Sequence, residues 1–126
     1  MDWIDETNAI GSWIDAHCVR ILRRERIDLI IDSRALFTKS TNLKNEPNLD
    51  RIVRAAEMMV ELSKLKVRVL VFCKHGKDRS PFLAMIYYSK RYDVHIDEAY
   101  QLIRSKRPKT VYHPEWVEKL DLLKRK

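Results

Sequence analysis

The sequence contains little glycine and little cysteine, with two residues of each among 126. Two cysteines without a short spacing form neither a disulfide framework nor a zinc site, and His17, His95 and His113 have no spacing typical of metal ligands. No apolar run approaches the length of a membrane span, and the residues after Met1 do not form a signal sequence. We therefore expect a protein without metal, cofactor or membrane span, from a reducing compartment such as the cytoplasm, where a reactive thiol survives.

Charged residues are abundant and unbalanced. They make up 34% of the chain, apolar residues make up 45%, and the formal net charge is +7. No repeat, linker or low-complexity segment divides the chain, so size and composition predict one globular domain over residues 1–126. The basic residues cluster at 23–26, 90–91, 104–109 and 124–126. Such clusters are typical of solvated helix ends, and their combined positive charge also generates a field that attracts polyanionic substrates. Both interpretations stay open.

Residues 67–81 have the pattern of a buried strand, a tight loop and a helix. Five of the six residues before Cys73 are apolar and three of them are valine, which predicts a strand covered on both faces. The segment from Pro81 to Tyr88 is apolar nearly all round, as expected of a buried helix. Ser80 is a good helix cap, and Pro81 suits the first helical position. The loop is therefore predicted to lie between a strand end and a helix N-terminus.

The rest of the chain alternates helices with strands. Ser12 and Asp15 predict a capping box for a helix that starts at Trp13. Residues 27–31 indicate a strand that ends at Asp32 and runs parallel to the strand at 67–73, and residues 33–48 are polar and irregular. Further helices are predicted at 49–65, 80–92, 96–105 and 114–123. The apolar residues expected to face the core are Ile14, Cys18, Ile21 and Leu22 in the first helix, Leu49, Ile52, Val53, Ala56 and Val60 in the second, and Trp116, Val117, Leu120 and Leu123 in the last. This order predicts a single α/β domain with a small, mostly parallel central sheet flanked by helices.

The loop at 73–80 carries groups suited to phosphate chemistry. Its amides can converge on one point near the helix N-terminus, where the helix dipole adds partial positive charge, so the loop predicts an anion cradle. Cys73 at the mouth of that cradle would be stabilised as a thiolate, and Arg79 offers a planar fork that matches phosphate oxygens. Gly76 suits a crowded loop without space for a side chain. Nucleophile, cradle and guanidinium together indicate phosphoryl transfer through a cysteinyl-phosphate.

The segment Cys73-Lys-His-Gly-Lys-Asp-Arg79-Ser80 resembles the C-x5-R-[ST] loop of cysteine-dependent protein phosphatases, specifically of the small dual-specificity type. Residues 8–12 are similar to that family's opening strand and Gly-Ser turn, and residues 97–108 are similar to its helix ending in Arg-Pro. Residues 34–48 are the weakest part of the resemblance. The resemblance implies the cysteine-phosphatase fold, with Cys73 as nucleophile and Arg79 as the group that binds the transition state. It also implies that the Ser80 hydroxyl stabilises the departing thiolate.

Lys74 and Lys77 lie inside the loop and bear on the substrate. A similar Lys-x-x-Lys pattern occurs in relatives that act on phosphoinositides and inositol pyrophosphates, where it faces additional phosphate groups. The interpretation that both lysines point to solvent is equally open. The His75-Gly76 pair is also similar to the loop of RNA 5′-triphosphatases, which makes RNA a candidate partner, although the Thr and Asn of that loop are absent. The residues predicted to bind phosphate are Lys74, His75, Gly76, Lys77, Asp78 and Arg79.

The sequence departs from the pattern of that family at three points. Its members usually have His before the Cys, and Phe72 cannot supply the same hydrogen bond. Its general acid is an Asp that precedes the loop, yet no Asp or Glu lies between Arg34 and Asn45. We expect Asp78 to act instead, and the alternative candidates are Asp32, Glu46 and Asp50. His113 lies near the position of a loop-supporting Asn in the family, and its role is open.

These patterns predict a phosphate monoester hydrolase that works through a cysteinyl-phosphate, as a dual-specificity protein phosphatase acting on phosphotyrosine and phosphoserine or phosphothreonine. Two alternatives stay open. The lysines of the loop and the net charge favour a phosphatase of polyanionic substrates, such as phosphoinositides, inositol pyrophosphates or RNA 5′-phosphates. Phe72 and the missing acid favour a weakly active phosphate-binding module. The sequence indicates no particular oligomeric state.

Overall fold

A four-stranded sheet in the order β1-β2-β6-β3 forms the centre of the molecule. Its strands are β1 (Asp2–Trp3), β2 (Asn8–Ser12), β3 (Leu29–Asp32) and β6 (Val69–Cys73). Strand β6 is parallel to both β2 and β3, whereas β1 is antiparallel to β2. All five residues of β6 are buried, which confirms the strand predicted from its valine-rich pattern. The predicted α/β class with a mostly parallel sheet is therefore confirmed.

Helices cover both faces of this sheet. The computed structural model describes residues 1–40 and 42–124, with only the backbone of Lys124, so the basic residues Arg125 and Lys126 lie outside the described residues. The helices are α1 (Trp13–Ala16), α2 (Val19–Arg24), α3 (Leu49–Lys64), α4 (Arg79–Tyr92), α5 (Ile96–Lys106) and α6 (Pro114–Lys124). The bounds of α3, α5 and α6 confirm the predicted helices to within one residue at each end.

The main core lies between the sheet and the helices α3, α4, α5 and α6. Its fully buried members include Ile10 and Val71 from the sheet, Ile52 and Met59 from α3, and Leu83 from α4. A smaller cluster of Ala9, Ala16, Leu70 and Phe72 fills the opposite face, beside α1 and α2. The sheet is thus covered on both faces, and the carboxyl end of β6, where the loop begins, lies between the two layers.

The segment after Ser12 differs from its prediction. The capping box of Ser12 and Asp15 is present, but α1 ends at Ala16 and a separate helix begins at Val19. The expected apolar face is wrong, since Ile14 is 72% exposed and Cys18 is half-buried at the break between the helices. The two short helices make different contacts: the first N–H of α1 is bonded to the loop after β6, whereas the side chain of Leu22 in α2 packs on the smaller cluster.

Residues 33–48 contain more regular structure than predicted. A 3₁₀ helix (Ser33–Leu36) is followed by β4 (Phe37–Lys39) and β5 (Asn45–Pro47), which pair as an antiparallel ribbon. Phe37 explains the position of this ribbon, because its ring packs into the main core against Phe82 and Trp116. Leu36 also packs against this core, so apolar side chains at positions 36 and 37 anchor a mostly polar segment.

Candidate active site

Cys73 ends β6 with its sulfur at the N-terminus of α4. Its Sγ lies 3.2 Å from the hydroxyl oxygen of Ser80 and accepts a hydrogen bond from the Ser80 N–H at 3.5 Å. Cys73 is 1% exposed, and Ser80 is fully buried. Both groups that face the sulfur belong to the first turn of α4, where the helix carries its partial positive charge. A thiolate at this position is stabilised by that helix end.

The carbonyl groups of four consecutive loop residues, 74–77, are bound from outside the loop. The donors are the N–H of Trp13 for Lys74 at 3.2 Å, Nη2 of Arg107 for His75 at 3.2 Å, Nε of Arg107 for Gly76 at 2.5 Å and the N–H of Val111 for Lys77 at 2.6 Å. Within residues 1–40 and 42–124, no protein acceptor binds the main-chain N–H of residues 74–78. The N–H and C=O of a trans peptide point in opposite directions. With its carbonyls turned outward, the loop therefore presents its amides to the centre, as an anion cradle requires.

Gly76 closes this loop at a point where no side chain fits. Its φ of +65° lies in the left-handed region, and a Cβ there would meet the carbonyl oxygen of Gly11 at 2.5 Å and also Nη2 of Arg107. Both neighbours are buried in the structure rather than free to move aside, because Gly11 is in β2 and Arg107 is 3% exposed. Gly76 therefore occupies a crowded position, as predicted for the glycine of this loop.

Arg107 supports the loop from outside, and the sequence does not single it out. Besides its two loop carbonyls, it donates through Nη1 to the Asp2 carboxylate at 2.6 Å. It lies directly after α5, so it connects that helix to the loop and, through Asp2, to β1. The Arg-Pro pair was recognised only as a helix end. A buried arginine is rare enough that its neighbours must satisfy it, but sequence gives no way to name those neighbours.

Arg79 and Asp78 stand side by side at the end of the loop. The Asp78 carboxylate caps α4 by accepting the Arg79 N–H at 2.8 Å, so α4 starts one residue before Ser80. The prediction of Ser80 as cap and Pro81 as first helical residue is therefore wrong, because the Ser80 side chain faces the sulfur of Cys73 instead. Nε of Arg79 is 4.0 Å from Asp78, and it is buried without a hydrogen-bond partner among the described residues.

The structure separates the four candidates for the general acid. Asp78 and Glu46 line one cleft of about 470 Å³ beside the loop. Asp32 binds the Arg34 guanidinium through two oxygens at 2.9 and 2.8 Å, and these hydrogen bonds hold the pKa of Asp32 below its usual value. Asp50 is exposed in the first turn of α3. Both carboxylate oxygens of Asp32 are engaged by Arg34, so the geometry favours the cleft that contains Asp78 and Glu46.

His113 lies in the same cleft, against Asp78. Its Nε2 is 3.4 Å from an Asp78 oxygen, and its Nδ1 is 3.1 Å from an oxygen of Glu115. The ring stacks on Trp116 with the centroids 3.7 Å apart. The hydrogen bond from His113 also contributes to lowering the pKa of Glu115, after the larger effect of that residue's own backbone N–H. His113 therefore contacts the loop through a charged side chain of the loop.

A second cleft of about 430 Å³ also borders the loop. It is lined by Trp13, Ile14, Arg34, Lys74 and His75. Trp13 is 44% exposed and stacks on His17, so one aromatic face stands beside three basic groups. Lys77 is exposed at the loop surface. Of the two loop lysines, Lys74 thus lines a concave surface next to the cradle.

Phe72, which replaces the family's histidine, is a core residue here. It is 5% exposed, and its ring lies edge-on to His17 at a centroid distance of 5.8 Å. The Arg34 guanidinium carbon lies 5.6 Å from the same ring. Phe72 therefore contributes packing behind the loop and leaves orientation of the sulfur to the groups of α4.

Residues 1–40 and 42–124 contain neither a cluster of metal ligands nor a helix that could span a membrane. Their His, Cys, Asp and Glu side chains form no cluster of three or more that could hold a metal ion. Their helices include none whose length and apolarity would let it cross a bilayer.

Comparison with known proteins identifies similar chains. The sequence model described as "Dual specificity phosphatase, catalytic domain" matches residues 40–126. The protein-tyrosine-phosphatase IBR5 of Arabidopsis thaliana is 30% identical over 118 residues, which cover 88% of this chain and 46% of that protein. The chain thus spans about half the length of this curated relative.

Solved structures of similar shape have low sequence identity. Human DUSP28 superposes with a TM-score of 0.78 at 17% identity, covering 96% of this chain and 93% of that one. A leucine rich repeat and phosphatase domain containing protein from Entamoeba histolytica gives 0.78 at 15%, covering 98% and 90%. PTPMT1 in complex with PI(5)P gives 0.71 at 17%, covering 93% and 89%. These likenesses show the fold.

Proposed function

The chain belongs to the dual specificity phosphatase catalytic domain family, and on that premise we propose that it hydrolyses phosphate monoesters of proteins through a cysteinyl-phosphate. Its substrates would be phosphotyrosine and phosphoserine or phosphothreonine. The observation that carries the proposal is the loop itself, in which one sulfur faces a helix N-terminus while the loop amides point inward. The thiol must stay reduced to react, so we place the protein in a reducing compartment.

In the first step the Cys73 thiolate attacks phosphorus and the bond to the leaving oxygen breaks. The inward amides of the loop and the Arg79 guanidinium bind the equatorial oxygens, where charge is concentrated in the transition state. The unpartnered, buried Nε of Arg79 supports this role, since a bound oxyanion would satisfy it. The leaving oxygen takes its proton from Asp78.

In the second step water attacks the cysteinyl-phosphate and the sulfur leaves as a thiolate. The Asp78 carboxylate accepts a proton from that water, so the acid of the first step is restored as it began. The Ser80 hydroxyl, 3.2 Å from the sulfur, donates to the departing thiolate. Phosphate then dissociates and the free enzyme is recovered.

Turnover of p-nitrophenyl phosphate in the presence of a chelator tests this proposal. Cys73→Ser and Arg79→Ala should each lower kcat by at least about 100-fold, because they remove the nucleophile and the main charged clamp. Cys18→Ser is the matched control, since it removes the other free cysteine, which is half-buried outside the loop. A Cys73→Ser protein with unchanged turnover would disprove the mechanism. Binding of phosphopeptide with no release of phosphate would identify a binding module instead.

The choice of acid is tested by comparing poor and good leaving groups. Loss of the true acid should lower kcat by about 100-fold on an alkyl phosphate and far less on p-nitrophenyl phosphate, whose leaving group needs little protonation. We expect this pattern for Asp78→Asn and not for Asp32→Asn, Glu46→Gln or Asp50→Asn. An Asp78→Asn protein with equal losses on both substrates would reject Asp78 as the acid.

A polyanionic substrate is the second candidate, favoured by the cleft that Lys74 shares with Arg34, His75 and Trp13. Three basic groups beside an exposed aromatic ring suit a second phosphate next to the scissile one. PTPMT1, with its bound PI(5)P, supplies a precedent of the same fold. Lys74→Ala should then lower kcat/KM about tenfold more on an inositol polyphosphate or an RNA 5′-diphosphate than on p-nitrophenyl phosphate. Lys64→Ala, on the exposed surface of α3, is the control. Equal effects on all substrates would favour the protein phosphatase.

A further inference from the structure

The Asp78 side chain begins a row of three titratable groups that leads away from the loop. Asp78 faces Nε2 of His113 at 3.4 Å, and Nδ1 of His113 faces Glu115 at 3.1 Å. Glu115 is more than half exposed, whereas the Asp78 and His113 side chains are 25% exposed. The row therefore connects the Asp78 carboxylate in the loop with the solvent-exposed carboxylate of Glu115.

The His113 ring is held in place rather than free. It stacks on Trp116 at an interplanar angle of 20°, and Trp116 is 3% exposed in the main core. The carbonyl of His113 also accepts the N–H groups of Trp116 and Val117 in the first turn of α6. Nε2 is buried and makes no hydrogen bond of good geometry within the described part of the chain. A buried ring nitrogen normally has a hydrogen-bond partner, and the Asp78 carboxylate is the neighbouring acceptor.

The number of protons on the ring decides what the row can do. A neutral imidazole has one N–H and donates to one carboxylate, whereas an imidazolium donates to both. The other charged groups around the row are Arg79, whose Nε is 4.0 Å from Asp78, and the cleft residues Lys44, Glu46 and Lys119. These add three cations and one anion around the row, while the two contacting carboxylates both face the ring.

We propose that His113 is a positioning residue that stores the proton delivered by Asp78; the inference rests on the proposed function. At rest His113 is an imidazolium and Asp78 a carboxylate. In the first step the Nε2 proton moves to Asp78 as Asp78 passes a proton to the leaving oxygen, so Asp78 ends the step as a carboxylate and His113 as a neutral ring. In the second step the attacking water gives its proton to Asp78, and that proton returns to Nε2. Each turnover thus leaves one proton on His113, one hydroxyl on phosphorus and the sulfur as thiolate. This row replaces the acid that is missing between residues 34 and 45.

The kinetic test compares His113→Gln with the wild type on two substrates across pH. Glutamine keeps a side-chain N–H but cannot release a proton. We expect kcat on an alkyl phosphate to fall about tenfold or more, and the alkaline side of its pH profile to lose the contribution of His113. On p-nitrophenyl phosphate kcat should change less than about threefold. Glu115→Gln should change the alkyl phosphate reaction in the same direction by a smaller factor. His95→Gln is the matched control, since His95 pairs with Asp97 at α5, outside the cleft.

Nitrogen-15 spectra of the His113 ring provide a readout that does not depend on turnover. In Cys73→Ser protein at neutral pH, we expect both ring nitrogens to carry protons, and Asp78→Asn to convert the ring to a single-proton form. A single-proton ring in the Cys73→Ser protein, or equal kinetic losses of His113→Gln on both substrates, would overturn the inference while Cys73-dependent turnover stands. Absence of all turnover in the wild type would instead overturn the proposed function.

Discussion

Gly76 illustrates how much of the site depends on one residue without a side chain. Its left-handed φ turns the loop so that the carbonyls of His75 and Gly76 reach the Arg107 guanidinium. Another residue at this position would have to displace buried groups on two sides. The inward direction of the amides is therefore a consequence of this single position as much as of the helix that follows.

Gly76→Ala should destabilise the protein by about 2–4 kcal/mol, combining the left-handed conformation with the clash against Gly11 and Arg107. Turnover of p-nitrophenyl phosphate should fall at least about 100-fold, because the amides no longer converge. Urea unfolding and steady-state kinetics measure the two effects. His75→Ala, which truncates an exposed side chain of the same loop, is the control for stability and should change it by less than about 0.5 kcal/mol. A Gly76→Ala protein with wild-type stability would show that the loop can relax.

At the scale of elements, the loop is held by contacts from three directions. The N-terminal residue of α1, the arginine after α5 and the segment before α6 each bind one part of it from outside. Helix α4 supplies the remaining side through its N-terminus. The cradle is thus built by four separate segments of the chain, and Arg107 is the contact that binds two carbonyls at once.

Arg107→Lys should lower stability by about 2–4 kcal/mol although it keeps the charge. A lysine ammonium cannot reproduce the fork that binds the carbonyls of His75 and Gly76 together with Asp2, so buried acceptors lose their donors. We also expect kcat to fall, since the loop loses the hydrogen bonds that hold its carbonyls turned outward. Arg104→Lys, on the exposed side of α5, is the matched control in urea unfolding and kinetics. Equal stability of the two variants would contradict the role given to Arg107.

At the scale of the whole molecule, one buried carboxylate connects the segment before β2 to the far end of α4. Asp5 accepts hydrogen bonds from the hydroxyls of Tyr87 at 2.6 Å and Tyr92 at 3.0 Å, and from the Arg91 guanidinium at 2.9 Å. Burial, followed by the bond to Asp5, raises the pKa of Tyr87 to about 12. The native state therefore keeps the Tyr87 phenol neutral at pH values where an unfolded chain ionises it.

Stability should consequently decline as pH rises from about 10 to about 12, by about 2–3 kcal/mol from Tyr87 alone, since only the unfolded state releases that proton. Tyr87→Phe should cost about 1–3 kcal/mol at pH 7 through the lost bond to Asp5, and its disadvantage should shrink at pH 11. Urea unfolding at both pH values measures this. Tyr88→Phe removes a phenol of α4 outside the Asp5 contacts and should keep the pH dependence of the wild type. A constant Tyr87→Phe difference across pH would refute the argument.

Much of the fold follows from local patterns. Helices α3, α5 and α6 and strand β6 follow their periodicity, and the resemblance of the loop to dual-specificity phosphatases is confirmed by the family to which the chain belongs. The failures have physical causes. The segment after Ser12 forms two short helices, one bonded to the loop and the other packed on the smaller cluster, and the segment containing Phe37 is anchored in the core by Phe37 and Leu36. None of these contacts leaves a local pattern, because the partners are distant in the chain.

The order of residues alone specifies which groups are present: a cysteine at the end of a buried strand, a glycine and an arginine at the spacing of a phosphate loop, and no carboxylate between residues 34 and 45. How these groups are used depends on the folded chain. It turned the loop carbonyls toward Trp13, Arg107 and Val111, bound Asp32 to Arg34, and brought His113 against Asp78. Spacing along the chain specifies the chemistry within one loop, whereas proton transfer and loop support require atoms a few ångströms apart, and folding alone brings such distant residues together.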